Sequence, residues 1–160
     1  MTTASRSPSR SRSTEATLLA LLLACGSAAA QTVSNNTSLS FGAFTAGSGG
    51  TVNLSAIGAR SKTGGVMLSS QGAPASAAQF SIGGTASSTV VITLPADGTV
   101  TLTDGANTMA LNGFVSNPNG TGIVGGGGTL IVSVGAVLTV GSAQPPGSYT
   151  GSFNVTVDYQ

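Results

Sequence analysis

The chain is 160 residues long, with only 6% charged residues, no histidine, one cysteine, 24 glycines and a formal net charge of +1. With no basic surface to neutralise phosphates, nucleic-acid binding is argued against. With no histidine and the single cysteine at position 25, the usual metal ligands and Cys or His catalysis are excluded, and no cofactor is expected.

The first thirty residues read as an export signal. Arg6, Arg10 and Arg12 form a basic start, residues 17–24 an apolar run, and Ala28 and Ala30 the small residues that signal peptidase selects, so cleavage is expected to leave Gln31 at the new N-terminus. The run is far shorter than the about 20 apolar residues needed to span a bilayer. No other segment qualifies, so no integral membrane segment is expected in the mature chain. Cys25, within LLACG, offers the alternative of acylation and a lipid anchor, but the alanine site downstream is the better match. After cleavage, Arg60 and Lys62 face Asp97, Asp104 and Asp158, a net charge of −1, so the exposed surfaces must be built from Ser, Thr, Asn and Gly.

Along the mature chain the apolar residues recur at strand spacing. Leu39 and Phe41, Val52 and Leu54, Val66 and Leu68, Phe80 and Ile82, residues 90–94, and Val100 and Leu102 sit in short alternating or β-branched runs. Met109 and Leu111, residues 130–134, residues 137–140 and the C-terminal segment continue the series. Asp97-Gly98, Asp104-Gly105, Asn112-Gly113 and Asn119-Gly120 are the expected hairpin turns, because these residues tolerate positive φ. No helical periodicity exceeds two turns. An all-β fold follows, an antiparallel sandwich of roughly eight to ten strands. The organisation read from this is a signal peptide over 1–30, a short N-terminal extension over 31–38 and one β-sandwich domain over 39–160.

The C-terminal segment GSYTGSFNVTVDYQ carries the clearest pattern. Tyr149, Gly151, Phe153, Val155, Val157 and Tyr159 share one parity, and Thr150, Ser152, Asn154, Thr156 and Asp158 the other, so the chain is expected to end as a half-buried strand. Elsewhere the chemistry is sparse. Asp97 and Asp104 each precede a glycine and read as turn residues bonding their own backbone, not as an acid/base pair. GTGIVG, residues 120–125, matches the dinucleotide fingerprint but lacks the flanking strand, helix and downstream acid, and reads as a loop. Arg60 and Lys62 read as a solvated loop.

Read in order, LSFG at 39–42, GGTV at 49–52, Arg60-Ser61, GGV at 64–66, AAQF at 77–80, ITLP at 92–95, VGA at 134–136 and GSYTGSF at 147–153 resemble the exported bacterial family known as domain of unknown function 4402. The resemblance covers almost all of residues 39–160 and implies a fimbria-like, immunoglobulin-like sandwich with no assigned activity. The C-terminus, with a glycine fourteen residues from the end and a penultimate tyrosine, also resembles pilus subunits of the chaperone and usher pathway. That resemblance implies an incomplete sandwich completed by a donor strand, first from a periplasmic chaperone and then from an identical subunit. Gly147, Tyr149, Phe153, Val155, Val157 and Tyr159 match the assembly strand such a chaperone pairs with. One departure stands out, since residues 31–38, QTVSNNTS, offer only Val33 as an apolar donor side chain.

The function expected from these features is a non-enzymatic structural subunit of a fimbria-like surface fibre, exported through the periplasm to the cell surface and supporting adhesion or biofilm. The alternative is a monomeric secreted or lipid-anchored surface binding domain.

Overall fold

The structure, a computed structural model, describes residues 31–160, which form fourteen strands and no helix. The expected signal peptide, its cleavage residues Ala28 and Ala30, and Cys25 lie outside the described residues.

The spine is β13, Thr129–Val140, whose even-numbered residues are buried or half-buried from Leu130 to Val140. One side of it pairs with β11, Thr108–Asn117. The other side is shared, first by β8, Ala78–Gly83, and then by β4, Gly50–Leu54. Outside these lie β1, Thr32–Thr37, on β8; β5, Arg60–Gly64, on β4; and β10, Val100–Thr103, on β11. All these pairings are antiparallel.

A smaller sheet covers one half of this layer. It runs β12, Thr121–Ile123, then β9, Thr89–Thr93, then β14, Thr156–Tyr159. Val90, Ile92 and Val157 from it pack on Ala78, Ile82, Val132 and Val134 of the large sheet. The other half is covered by two short ladders, β2, Ser40–Phe41, with β7, Ala75–Ser76, and β3, Phe44–Thr45, with β6, Met67–Leu68. Phe41 and Val66 there cover Val52, Leu54, Leu111 and Leu138. The fold is therefore an all-β antiparallel sandwich with two adjoining cores, bridged by Leu39, Phe114 and Phe153, which pack against both.

Gly135 marks the point where β13 changes neighbours. The chain leaving β4 crosses the outer face of the sheet there, and a Cβ on Gly135 would collide with the Leu54 carbonyl oxygen and the backbone of Ser55 and Ala56. Only glycine leaves room.

Several elements differ from the expectation. The runs 130–134 and 137–140 are one strand, because their buried parity continues through Gly135 unchanged. Asn112-Gly113 is not a hairpin turn. It lies inside β11, where Gly113 takes φ +55° and the pairing register shifts between Asn112 and Val115, which makes a bulge. Within the expected N-terminal extension over 31–38, six residues form β1 along β8. Arg60 and Lys62 sit on β5, not in a loop.

If Gly135 is a close-approach position, Gly135→Ala should lower stability by about 1–3 kcal/mol, the usual cost of overpacking. Gly126→Ala, where nothing stands within 4 Å of an added Cβ, should change little; chemical denaturation of both variants checks the contrast.

Candidate functional site

The ladder covering of the β4 half stops short of the start of the C-terminal segment. Between residues 38–47 on one side and residues 143–151 on the other lies a cavity of about 850 Å³, open to solvent, whose floor includes Leu102, Met109 and Leu138. Met109 and Leu138 belong to the buried core, so this slot reaches the interior of the sandwich. None of its lining residues is charged.

The first wall is held by Arg60. Its guanidinium reaches out of β5 and donates to the carbonyls of Phe41 (2.8 Å), Ala43 (3.2 Å) and Ser69 (2.7 Å), tying β2, β3 and the loop after β6 to the large sheet. The planar fork of arginine suits this task, because it donates in several fixed directions at once. Gly42 passes directly beneath the guanidinium at φ +66°. The solvated reading of Arg60 is thus corrected: it clamps main-chain carbonyls. The sequence signal was the one arginine between residues 31 and 160, in a segment of very few charges, too little to say what it would bind.

The second wall is the start of the C-terminal segment. Gln144 Nε2 donates to the Tyr149 hydroxyl (3.0 Å), which donates to the Pro145 carbonyl (2.9 Å), closing a tight corner. Thr150 then exchanges two main-chain hydrogen bonds with Thr103 of β10. Gly151 crosses β10 so closely that a Cβ would stand 2.5 Å from the Thr101 carbonyl oxygen. Beyond it, the Phe153 ring lies 6.1 Å edge-on from Phe80 and 5.2 Å from Phe114.

The expected parity of this segment is present throughout. Tyr149, Phe153, Val155 and Tyr159 are half-buried and Val157 is buried, while Thr150, Ser152, Asn154, Thr156 and Asp158 are exposed; Gly151 is exposed as well. Regular strand pairing, however, is confined to β14. The residues before it form a strap from the edge of the large sheet, between the two cores, to the smaller sheet. Tyr159 ends the strap over Gly84, where a side chain would overlap its hydroxyl. The outer edge of β14 has no strand partner among the described residues, and Gln31 Nε2 donates to the Val157 carbonyl.

Asp97 and Asp104 both accept main-chain hydrogen bonds. Asp104 accepts from the amides of Ala106 and Asn107 and from the Asn107 side chain, closing the β10–β11 turn as expected. Asp97 departs from expectation: its carboxylate accepts from the Gly113 amide in the β11 bulge, while Asn112 Oδ1 accepts from Gly98 N. A turn and a bulge thus brace each other. No group of three or more His, Cys, Asp or Glu side chains comes together among the described residues. Residues 120–125 form β12 and the turn after it, with no helix to receive a dinucleotide phosphate.

The family described as domain of unknown function (DUF4402) matches residues 31–159. The chain belongs to that family. No curated protein and no solved structure matches it. Within this DUF4402 chain, two of the segments that carried the resemblance, residues 39–42 and 147–153, lie on or lead out of opposite walls of the slot.

Two outcomes follow. Arg60→Met leaves three carbonyls without their charged donor and should lower stability by about 2–3 kcal/mol, with Arg60→Lys recovering only part of it, as thermal or urea unfolding would register. Asp104 is held down from 3.8 to about 2, first by the Asn107 amide, then by the Asn107 side chain and the Ala106 amide. A carboxyl with a depressed folded-state pKa contributes stability that is present above its unfolded value and is lost as pH falls through the folded one. Melting temperature should therefore drop between about pH 4 and pH 2, and Asp104→Asn should flatten that drop.

Proposed function

We propose that this chain is a non-enzymatic structural subunit of a fimbria-like surface fibre, exported and assembled at the cell surface through strand addition. The observation carrying this reading is the slot. A gap lined by half-buried Phe44, Leu102 and Tyr149 over the buried Met109 and Leu138 leaves some apolar surface in contact with water, and an added strand is the element whose shape and hydrogen-bonding edge suit such a gap. Its uncharged lining favours an apolar or neutral segment over a charged ligand. The open edge of β14 and the alternating burial of the strap support the same reading, because both belong to a segment placed to pair with a neighbour. The dispersal of Asp97, Asp104 and Asp158, two of them held by main-chain amides, supports a non-catalytic role.

The direct test is the size of the protein taken from the cell surface, run on a denaturing gel without boiling. A ladder of multimers is expected, because inserted strands resist detergent until heated. Ser148→Trp, at an exposed position on the slot wall, should leave the melting curve nearly unchanged and remove the ladder. Val157→Asp buries an unpaired carboxylate at a cost of several kcal/mol and should prevent folding, whereas Thr156→Asp on the exposed face should be tolerated. A chain that stays monomeric in every preparation overturns the subunit reading in favour of a monomeric binding domain taking a neutral ligand in the same slot.

A further inference from the structure

Between residues 31 and 160, glycine follows asparagine at two places, Asn112-Gly113 and Asn119-Gly120. Such a pair can modify itself, because glycine carries no side chain to shield its amide nitrogen from the asparagine carboxamide one residue back. The fold treats the two pairs differently. Asn112 lies within β11, opposite Val137 of β13, and Gly113 N donates to Asp97 Oδ1 at 2.7 Å. Asn112 Oδ1 accepts from Gly98 N (2.9 Å), so the nitrogen and the carboxamide that would react are each held by another partner. Asn119 lies between β11 and β12, outside any strand, and both it and Gly120 are exposed. Their hydrogen bonds are made by carbonyls: that of Asn119 accepts from Thr121 N and that of Gly120 from Ile92 N, both at 2.8 Å. Among the described residues nothing engages Gly120 N or the Asn119 carboxamide, and no atom stands within 4 Å of a Cβ added to Gly120.

We infer that Asn119 is a site of spontaneous self-modification, deamidating through its own backbone, and that Asp97 keeps Asn112 from the same reaction. At Asn119 a base from solvent takes the proton of Gly120 N, and the nitrogen attacks Asn119 Cγ. The new N–Cγ bond closes a cyclic imide as Nδ2 departs with a proton, as ammonia. Water then opens the ring. Addition at Cγ leaves aspartate, and addition at the main-chain carbonyl carbon leaves isoaspartate, whose backbone runs through the former side chain; nothing is oxidised or reduced. At Asn112 the first step is opposed twice, since Gly113 N–H must give up a charge-assisted bond and its deprotonation would set an anion beside the Asp97 carboxylate. Conversion adds a carboxylate to a segment whose net charge is −1. The isoaspartate form also lengthens the chain just before Gly120, whose carbonyl holds Ile92, and Thr121, which opens β12 opposite Val91. Because β12 is an outer strand of the smaller sheet, its hold on β9 weakens as the molecule ages. This chemistry goes beyond the subunit reading and does not depend on it.

The test incubates the purified, unsubstituted protein in warm, mildly alkaline buffer, digests it with pepsin at acid pH so that handling adds no conversion, and weighs the peptides. The Asn119 peptide should gain about one dalton and become a substrate for isoaspartyl methyltransferase, roughly tenfold or more faster than the Asn112 peptide. Equal rates at the two sites, or no conversion at Asn119, overturn the inference. In concentrated urea the contrast should vanish, with both sites converting alike; a contrast that persists in the unfolded chain belongs to local sequence and overturns the structural account. Asp97→Ala, confirmed as folded by a cooperative melting transition, should raise Asn112 conversion roughly tenfold or more and leave Asn119 conversion as it was. Asp97→Asn, which keeps an acceptor without the charge, should fall between, and it serves where the alanine variant does not fold. If Asn112 stays unconverted in either folded variant, its pairing in β11 is the guard and the role given to Asp97 falls.

Discussion

One strand with two different neighbours along the same edge organises this protein. Because β13 pairs with β8 through its first half and with β4 through its second, the large sheet is in effect two sheets sharing a spine, and each needs its own cover. The smaller sheet covers the β8 half, and the short ladders around Phe41 and Phe44 cover the β4 half. The slot is what remains between the ladders of the β4 half and the start of the C-terminal strap. Glycine at position 135 permits the arrangement, since the chain leaving β4 must cross the sheet at the place where β8 ends.

The strap solves the problem this division creates. Two cores of Val, Leu, Ile and Ala, with few large rings, would otherwise be joined by the backbone of β13 and the side chains of Leu39 and Phe114. Phe153, set between Phe80 and Phe114, joins them through side chains as well, and such aromatic pairs contribute about 0.5–1.5 kcal/mol beyond their burial. The segment achieves this without regular strand pairing, because its alternation serves packing on two different surfaces in succession.

Much of the fold was legible because burial enforces period two. Val52 and Leu54, Phe80 and Ile82, Val90 and Ile92, and the residues of the strap all point where their alternation says. What stayed illegible was the part held by backbone alone. β1 and β5 are polar and almost wholly exposed, so no apolar pattern marks them, and they exist because β8 and β4 offer edges to pair with. Asn112-Gly113 misled for a related reason: the dipeptide that favours a tight turn equally favours a bulge, and the choice was made at a distance, by Asp97. The slot could not be read at all, because a gap between the ladders and the strap leaves no trace in either.

The economy of charge has a consequence for resistance to proteolysis. Between Gln31 and Gln160 there are two basic residues, Arg60 and Lys62, and proteases that cut after lysine or arginine have no other target there. Both lie on β5, paired along its length with β4, and the Arg60 side chain is already occupied by three carbonyls. Cleavage there must wait for local opening of the strand, so its rate is limited by how often that edge lifts. A surface of Ser, Thr, Asn and Gly thus leaves digestive enzymes of this kind almost nothing to grip.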